Sequence, residues 1–151
     1  LVVVNAFGDV IDPTTGMILA GARQPAAPQD AGEKSFRFVD TLKWMQGQSS
    51  NVSPGFSQQT NTVIGVVATN AALTKEQANK MAQMAQDGVA RTIRPAHTMV
   101  DGDTIFALST GQQKADINLV GAFAAEVFAQ AVLRAVRQAR SAGGLPGLAG
   151  D

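Results

Sequence analysis

The sequence predicts an α+β fold in which helices lie on a sheet, and three observations predict it. Two apolar, β-branched runs, Leu1–Phe7 and Thr62–Thr69, have the composition of strands. Between Ala78 and Ile93, apolar residues recur on one 3.6-residue stripe, as on an amphipathic helix. A further strand-like run, Thr104–Thr110, and a long apolar helix follow. The order strand, helix, strand, helix argues for helices layered over a sheet.

Each element has its own signals. Leu1–Phe7 reads LVVVNAF, a buried strand, and Gly8-Asp9 punctuates it. Val10-Ile11 reads as a short hairpin arm before the turn residues Asp12-Pro13-Thr14-Thr15-Gly16. Residues 12–61 hold no long periodic element, because Pro25, Pro28, Gly32, Gly47, Pro54 and Gly55 interrupt them. Within that stretch Ser35–Met45 fits either period. Phe36, Phe38, Leu42 and Trp44 alternate, while Phe36, Val39 and Leu42 nearly fit a helix. Thr62–Thr69 is apolar almost throughout, which predicts burial on both faces.

Thr74-Lys75-Glu76-Gln77 has the pattern of a capping box. The stripe Ala78, Met81, Ala82, Ala85, Val89, Ile93 follows, and Pro95 is expected to end the helix. Asp101-Gly102-Asp103 reads as a turn before the next strand. Asn118 is a candidate cap for the last helix, expected to run to about Arg140. Leu119, Val120, Phe123, Val127, Phe128, Val132 and Val136 cover more than one stripe of it, which predicts two packing neighbours. Gly143 onward reads as a flexible tail.

At 151 residues the chain fits a single domain with a real core. Apolar residues make up 45% and charged residues 16%, which is globular composition. The formal net charge is zero, so electrostatic capture of nucleic acid or of an anionic membrane is not expected. Cysteine is absent, which rules out disulfides and thiolate metal sites and fits an expected cytoplasmic location. Leu1–Val4 is too short for a signal peptide and has no basic flank. No apolar run approaches the ~18 residues of a spanning helix. With no initiator Met and a strand-like start, the chain is expected to be part of a longer polypeptide.

The pair Asn61-Thr62 stands where a run rich in Gly, Ser and Gln meets a strand. Plain strand initiation explains it. A second reading is a self-cleaving bond. The Thr62 hydroxyl would attack the Asn61 carbonyl, and an N-to-O acyl shift would give an ester that water resolves. The freed α-amine, with a reference pKa near ~8, then serves the hydroxyl as a base. Residues 47–60 would be the mobile linker this needs.

Other polar residues have plain readings too. Asp101 and Asp103 flank one glycine on a turn, and the ligand spacing of a calcium loop is missing. Asn5 interrupts an apolar strand, where a buried amide needs partners. His97, the only histidine, has no partners in sequence for a Ser/His/Asp set, and bracing the Pro95–Asp103 loop is its expected role. Arg91 and Arg94 suit salt bridges or the helix end, and Met81 and Met84 suit helix packing. The early glycines make no G-x-G-x-x-G fingerprint.

The run NTVIGVVATNAALTKEQANKMAQMAQDGVARTIRPAHTMVDGDTIFAL resembles the self-cleaving aminopeptidase family that includes L-aminopeptidase/D-esterase, β-peptidyl aminopeptidases and nylon-oligomer hydrolases. LVVVNAFGDVIDPTTG resembles the same family's strand and turn, so the likeness runs from Leu1 to about Gly111. The resemblance implies an αββα sandwich of the N-terminal-nucleophile hydrolase type, present here in part. Residues 1–61 would end the long chain, and 62–151 would form the short chain, with the upstream half of the same polypeptide as partner.

The resemblance also implies roles. Thr62 would be the nucleophile, with the 61/62 bond as the autocleavage site. Asp101 and Asp103 would share a proton or orient the Thr62 hydroxyl and amine. Asn5 would donate to the oxyanion, a contribution of ~3–4 kcal/mol. No metal or organic cofactor is required. Small peptides or amides with a free amino terminus are the implied substrates, with nylon-type oligoamides second, and a homo-oligomer is implied. The alternative is an uncleaved, non-catalytic αβ binding module.

Overall fold

The computed structural model describes residues 1–25, 36–47 and 61–149, and the linker expected at 47–60 lies outside them except for Gly47. The main sheet has three strands in the order β1 (Val2–Asn5), β6 (Thr62–Ala71) and β8 (Thr104–Gln113). β1 runs antiparallel to β6, and β6 runs parallel to β8. A parallel pair needs a crossover, and α2 (Lys75–Thr92) supplies it. α3 (Ile117–Arg137) lies beside α2. Among the described residues there are two smaller sheets. One joins β3 (Ile18–Ala20), β2 (Asp9–Ile11) and β7 (Ile93–Arg94); the other joins β4 (Arg23–Pro25) and β5 (Phe36–Phe38). α1 (Thr41–Gly47) follows β5.

The result is a mixed α+β structure, with one helix layer on one face of the main sheet. The second packed sheet of an αββα sandwich is not among the described elements. The core lies between sheet and helices. Val63, Val67 and Ile105 point into it and meet Met81, Ala85, Val89, Phe128 and Val132 from the helices. The two helices approach closely because Gly88 faces the Ala125 carbonyl and Gly121 faces the Met84 side chain, where a Cβ has no room.

Thr62–Ala71 does not bury both faces. Val63, Gly65 and Val67 are buried, while Ile64 and Ala68 are exposed. Val3, Ile64, Phe106 and Leu108 are all exposed large apolar residues, and the register brings them to one face. The run therefore reads as doubly buried by composition, but only one side carries helices among the described residues.

Local signals explain the boundaries. The Thr74–Gln77 capping box forms in both directions. α2 stops at Thr92, ahead of Pro95, because Ile93 turns extended and pairs with Val10. The last helix is capped by Asp116 rather than Asn118: its carboxylate accepts the N–H groups of Asn118 and Leu119. The helix ends at Arg137, short of Arg140. By length and composition an 18-residue window of it, with mean hydropathy 1.6, is apolar enough to cross a membrane, although Glu126, Gln130 and Arg134 interrupt its apolar run. One side of it, Gly121, Ala124, Ala125, Phe128, Ala129 and Val132, is nonetheless buried in the core. From Phe36 on, the ambiguous segment resolves into both readings, strand β5 and then helix α1. Past Gly143 the tail folds back, with the Ala149 N–H donating to the Ala139 carbonyl at 3.0 Å.

Gly8-Asp9 is more than punctuation. Asp9 opens β2 and is fully buried, accepting the Thr41 N–H at 2.6 Å and the Thr41 hydroxyl at 3.0 Å. This ties the start of α1 to the small sheet.

Candidate active site

Thr62 is the first residue of β6, and every expected site residue returns to its neighbourhood. Antiparallel pairing places Asn5 directly opposite Thr62. Parallel pairing brings Asp101 beside Asn61 in an isolated bridge. The Asn61 N–H donates to the Val100 carbonyl at 3.3 Å, and the Gly102 N–H donates to the Asn61 carbonyl at 2.8 Å. Asn61 to Asp101 and Ile64 to Thr104 have the same offset of 40 residues, so the ladder holds one register on both sides of Thr62.

Between those points the ladder opens. The Val63 N–H donates not to a backbone carbonyl but to Asp103 Oδ1, at 2.8 Å. The Gly102 carbonyl instead accepts the Thr104 hydroxyl at 3.1 Å. A side chain thus replaces a backbone partner one residue past Thr62. The Thr62 hydroxyl lies over Gly102, where a Cβ would sit 2.9 Å from Oγ1.

The two carboxylates have different surroundings. Asp101 Oδ2 accepts the Thr98 hydroxyl at 2.7 Å and the Thr98 N–H at 3.0 Å, which closes the loop onto itself. The Asp103 side chain is only 4% exposed. Burial, the largest cause, pushes its pKa up, and the charge of Asp101 adds to this. The Val63 N–H and His97 pull the other way. His97 Nδ1 stands 3.6 Å from Asp103 Oδ2, with the residue at φ 56°, in the left-handed region that few non-glycine residues occupy. The histidine is therefore not remote from the candidate site.

Asn5 is exposed rather than buried, on the sheet face that carries Thr62 and Ile64. Arg91 stands 3.6 Å from Glu126 and Arg94 3.8 Å from Asp40, in ion pairs. Met81 is buried in the core and Met84 packs on Gly121, as expected of helix packing. Among the described residues no group of three His, Cys, Asp or Glu side chains is placed to hold a metal ion.

Two features had no clear signal in sequence. Gly102 looks like an ordinary turn glycine, and its closeness to the Asn61 carbonyl depends on strand register. Asp9 is 32 residues from its partner Thr41.

The profile of peptidase family S58 matches residues 1–149. An uncharacterized aminopeptidase of Mycobacterium bovis is 38% identical over 162 aligned residues, covering 97% of this chain and 45% of the relative. An uncharacterized aminopeptidase of Mycobacterium leprae is 40% identical over 167, covering 97% and 42%. A 6-aminohexanoate-oligomer endohydrolase of a Kocuria species is 32% identical over 97, covering 56% and 27%. The chain thus spans less than half the length of these curated relatives. With the profile matched over almost every residue and relatives 38–40% identical across 97% of it, the chain belongs to peptidase family S58.

Proposed function

We propose that this chain is the catalytic part of a self-processed N-terminal-threonine amidohydrolase that acts as an aminopeptidase on small peptides or amides. The observation that carries this reading is the return of Asp101 and Asp103 to the backbone on either side of Thr62, through the Asn61 bridge and the Val63 N–H. Cleavage of the 61/62 bond frees the Thr62 amine. That amine and the Asp103 carboxylate then manage the hydroxyl proton, while Asp101 fixes the loop that carries them. Thr62 Oγ1 attacks the substrate carbonyl, an acyl-enzyme forms as the amine leaves, and water deacylates it. Asn5, opposite Thr62, is the side-chain donor for the oxyanion.

The names of the relatives support amide hydrolysis, and the Kocuria protein's name supports oligoamides as a second substrate class. We further propose that the upstream half of the polypeptide covers the open sheet face of Val3, Ile64, Phe106 and Leu108, since apolar patches of this kind mark interaction surfaces. The exposed stripe Leu119, Phe123, Val127 on α3 is the surface proposed for a homo-oligomer.

The test is mass spectrometry of the full-length polypeptide. It should yield a fragment whose N-terminal residue is Thr62. Thr62→Ala should abolish both this cleavage and amide hydrolysis. An intact Ala variant that still hydrolyses amides would leave the uncleaved binding module as the better account of this chain.

A further inference from the structure

Among the contacts around Thr62, one reaches the atom on which the reaction would develop charge. The Gly102 N–H donates to the Asn61 carbonyl oxygen at 2.8 Å, within the range expected of an oxyanion donor. The nucleophile lies over the same residue, since a Cβ on Gly102 would stand 2.9 Å from Thr62 Oγ1 and 3.7 Å from the Asn61 oxygen. We infer that the main-chain N–H of Gly102 is a catalytic donor in self-cleavage, and that position 102 is glycine because the attacking hydroxyl occupies the space of a side chain. This inference rests on the proposed function and adds to it a residue that acts through its backbone.

The step balances as follows. Thr62 Oγ1 forms a bond to the Asn61 carbonyl carbon, and the carbonyl π electrons move onto its oxygen, which the Gly102 N–H already holds. The C–N bond to Thr62 then breaks. The hydroxyl proton ends on the departing nitrogen, giving an ester at Oγ1 and a free amine. Water hydrolyses the ester, releasing Asn61 as a carboxylic acid and restoring the hydroxyl. The donor need not move, because the register that builds the Asn61–Asp101 bridge sets it before the reaction. The opened ladder at Val63 leaves the Thr62 side of the bond free of backbone pairing to Gly102, whose carbonyl is taken by Thr104. An ordinary ladder bond at this place would contribute only to stability. A transition-state donor contributes mainly to rate.

That contrast defines the experiment. In the full-length polypeptide, the amide between Asp101 and Gly102 is replaced by an ester, by incorporating glycolic acid at 102, which deletes the N–H and little else. The time course of cleavage at 61/62 is followed by mass, and stability by urea unfolding of a parallel Thr62→Ala background that stays uncleaved. The expected result is a rate ~10²–10³-fold lower with a modest loss of stability. A rate within threefold of the native chain overturns the inference. Gly102→Ala keeps the N–H and a permitted backbone but crowds Oγ1, and it should slow cleavage at least ~10-fold. If the ester variant does not fold, this variant decides, and native-rate cleavage by it overturns the inference. A native polypeptide that never cleaves at 61/62 instead overturns the proposed function itself, so the two failures are distinguishable.

Discussion

Asp103 Oδ1 accepts the Val63 N–H at 2.8 Å, so a nearly buried carboxylate takes the place of a strand's backbone partner one residue past Thr62. Its pKa is raised by burial first and by Asp101 second. The folded state therefore holds the Asp103 proton more tightly than the unfolded chain does. Stability should fall as pH rises from the ordinary carboxylate value of 3.8 through the raised folded value. The proposed self-cleavage, in which the ionised carboxylate takes part, should rise over the same window. Asp103→Asn keeps an acceptor for Val63, so it should remove this downward step in stability while abolishing cleavage. Urea titrations across pH, beside cleavage rates, check the opposite slopes.

His97 supplies a cation against Asp103 only while its imidazole is protonated. His97→Asn suits the left-handed backbone and removes that charge. Loss of the cation leaves the Asp103 pKa higher still, so the acid limb of the cleavage profile should move up. A merely bracing histidine predicts an unmoved limb in the pH–rate profile.

Asp9→Ala leaves the Thr41 N–H and hydroxyl buried without an acceptor. The cost should be about 3 kcal/mol, read as a lower urea midpoint at unchanged slope. The more conservative Asp9→Asn should recover part of it.

Gly65→Ala drives a methyl into the ring of Phe128, which is itself buried in the core. Overpacking of this kind costs ~1–3 kcal/mol. Combining it with Phe128→Leu should recover some of the loss, so a double-mutant cycle should show a coupling well outside additivity.

Periodicity made much of the framework legible. The Thr74–Gln77 box and the stripe from Ala78 to Val89 mark α2, because helix signals are local and lie within four residues of each other. Runs of β-branched residues mark β1, β6 and β8 for the same reason. The family resemblance of the run from Asn61 to Leu108 implies Thr62, Asp101 and Asp103 as site residues. The weaker inferences were those that needed a neighbour. Composition could not tell that Ile64 and Phe106 are exposed, since an apolar side chain is the same residue whether or not a layer covers it.

By itself, the sequence determined strands β1, β6 and β8 and the capped helix α2, because local backbone preference and capping chemistry lie within a few residues, and its family resemblance named Thr62 as the candidate nucleophile. Only the tertiary structure decided that Asp103 takes the Val63 N–H, that His97 faces Asp103, that Asp9 grips Thr41 and that Gly102 holds the Asn61 carbonyl. Each of these depends on pairing or packing between segments far apart in the chain, and a strand register shifted by one residue would undo the arrangement at Thr62 without changing any local signal.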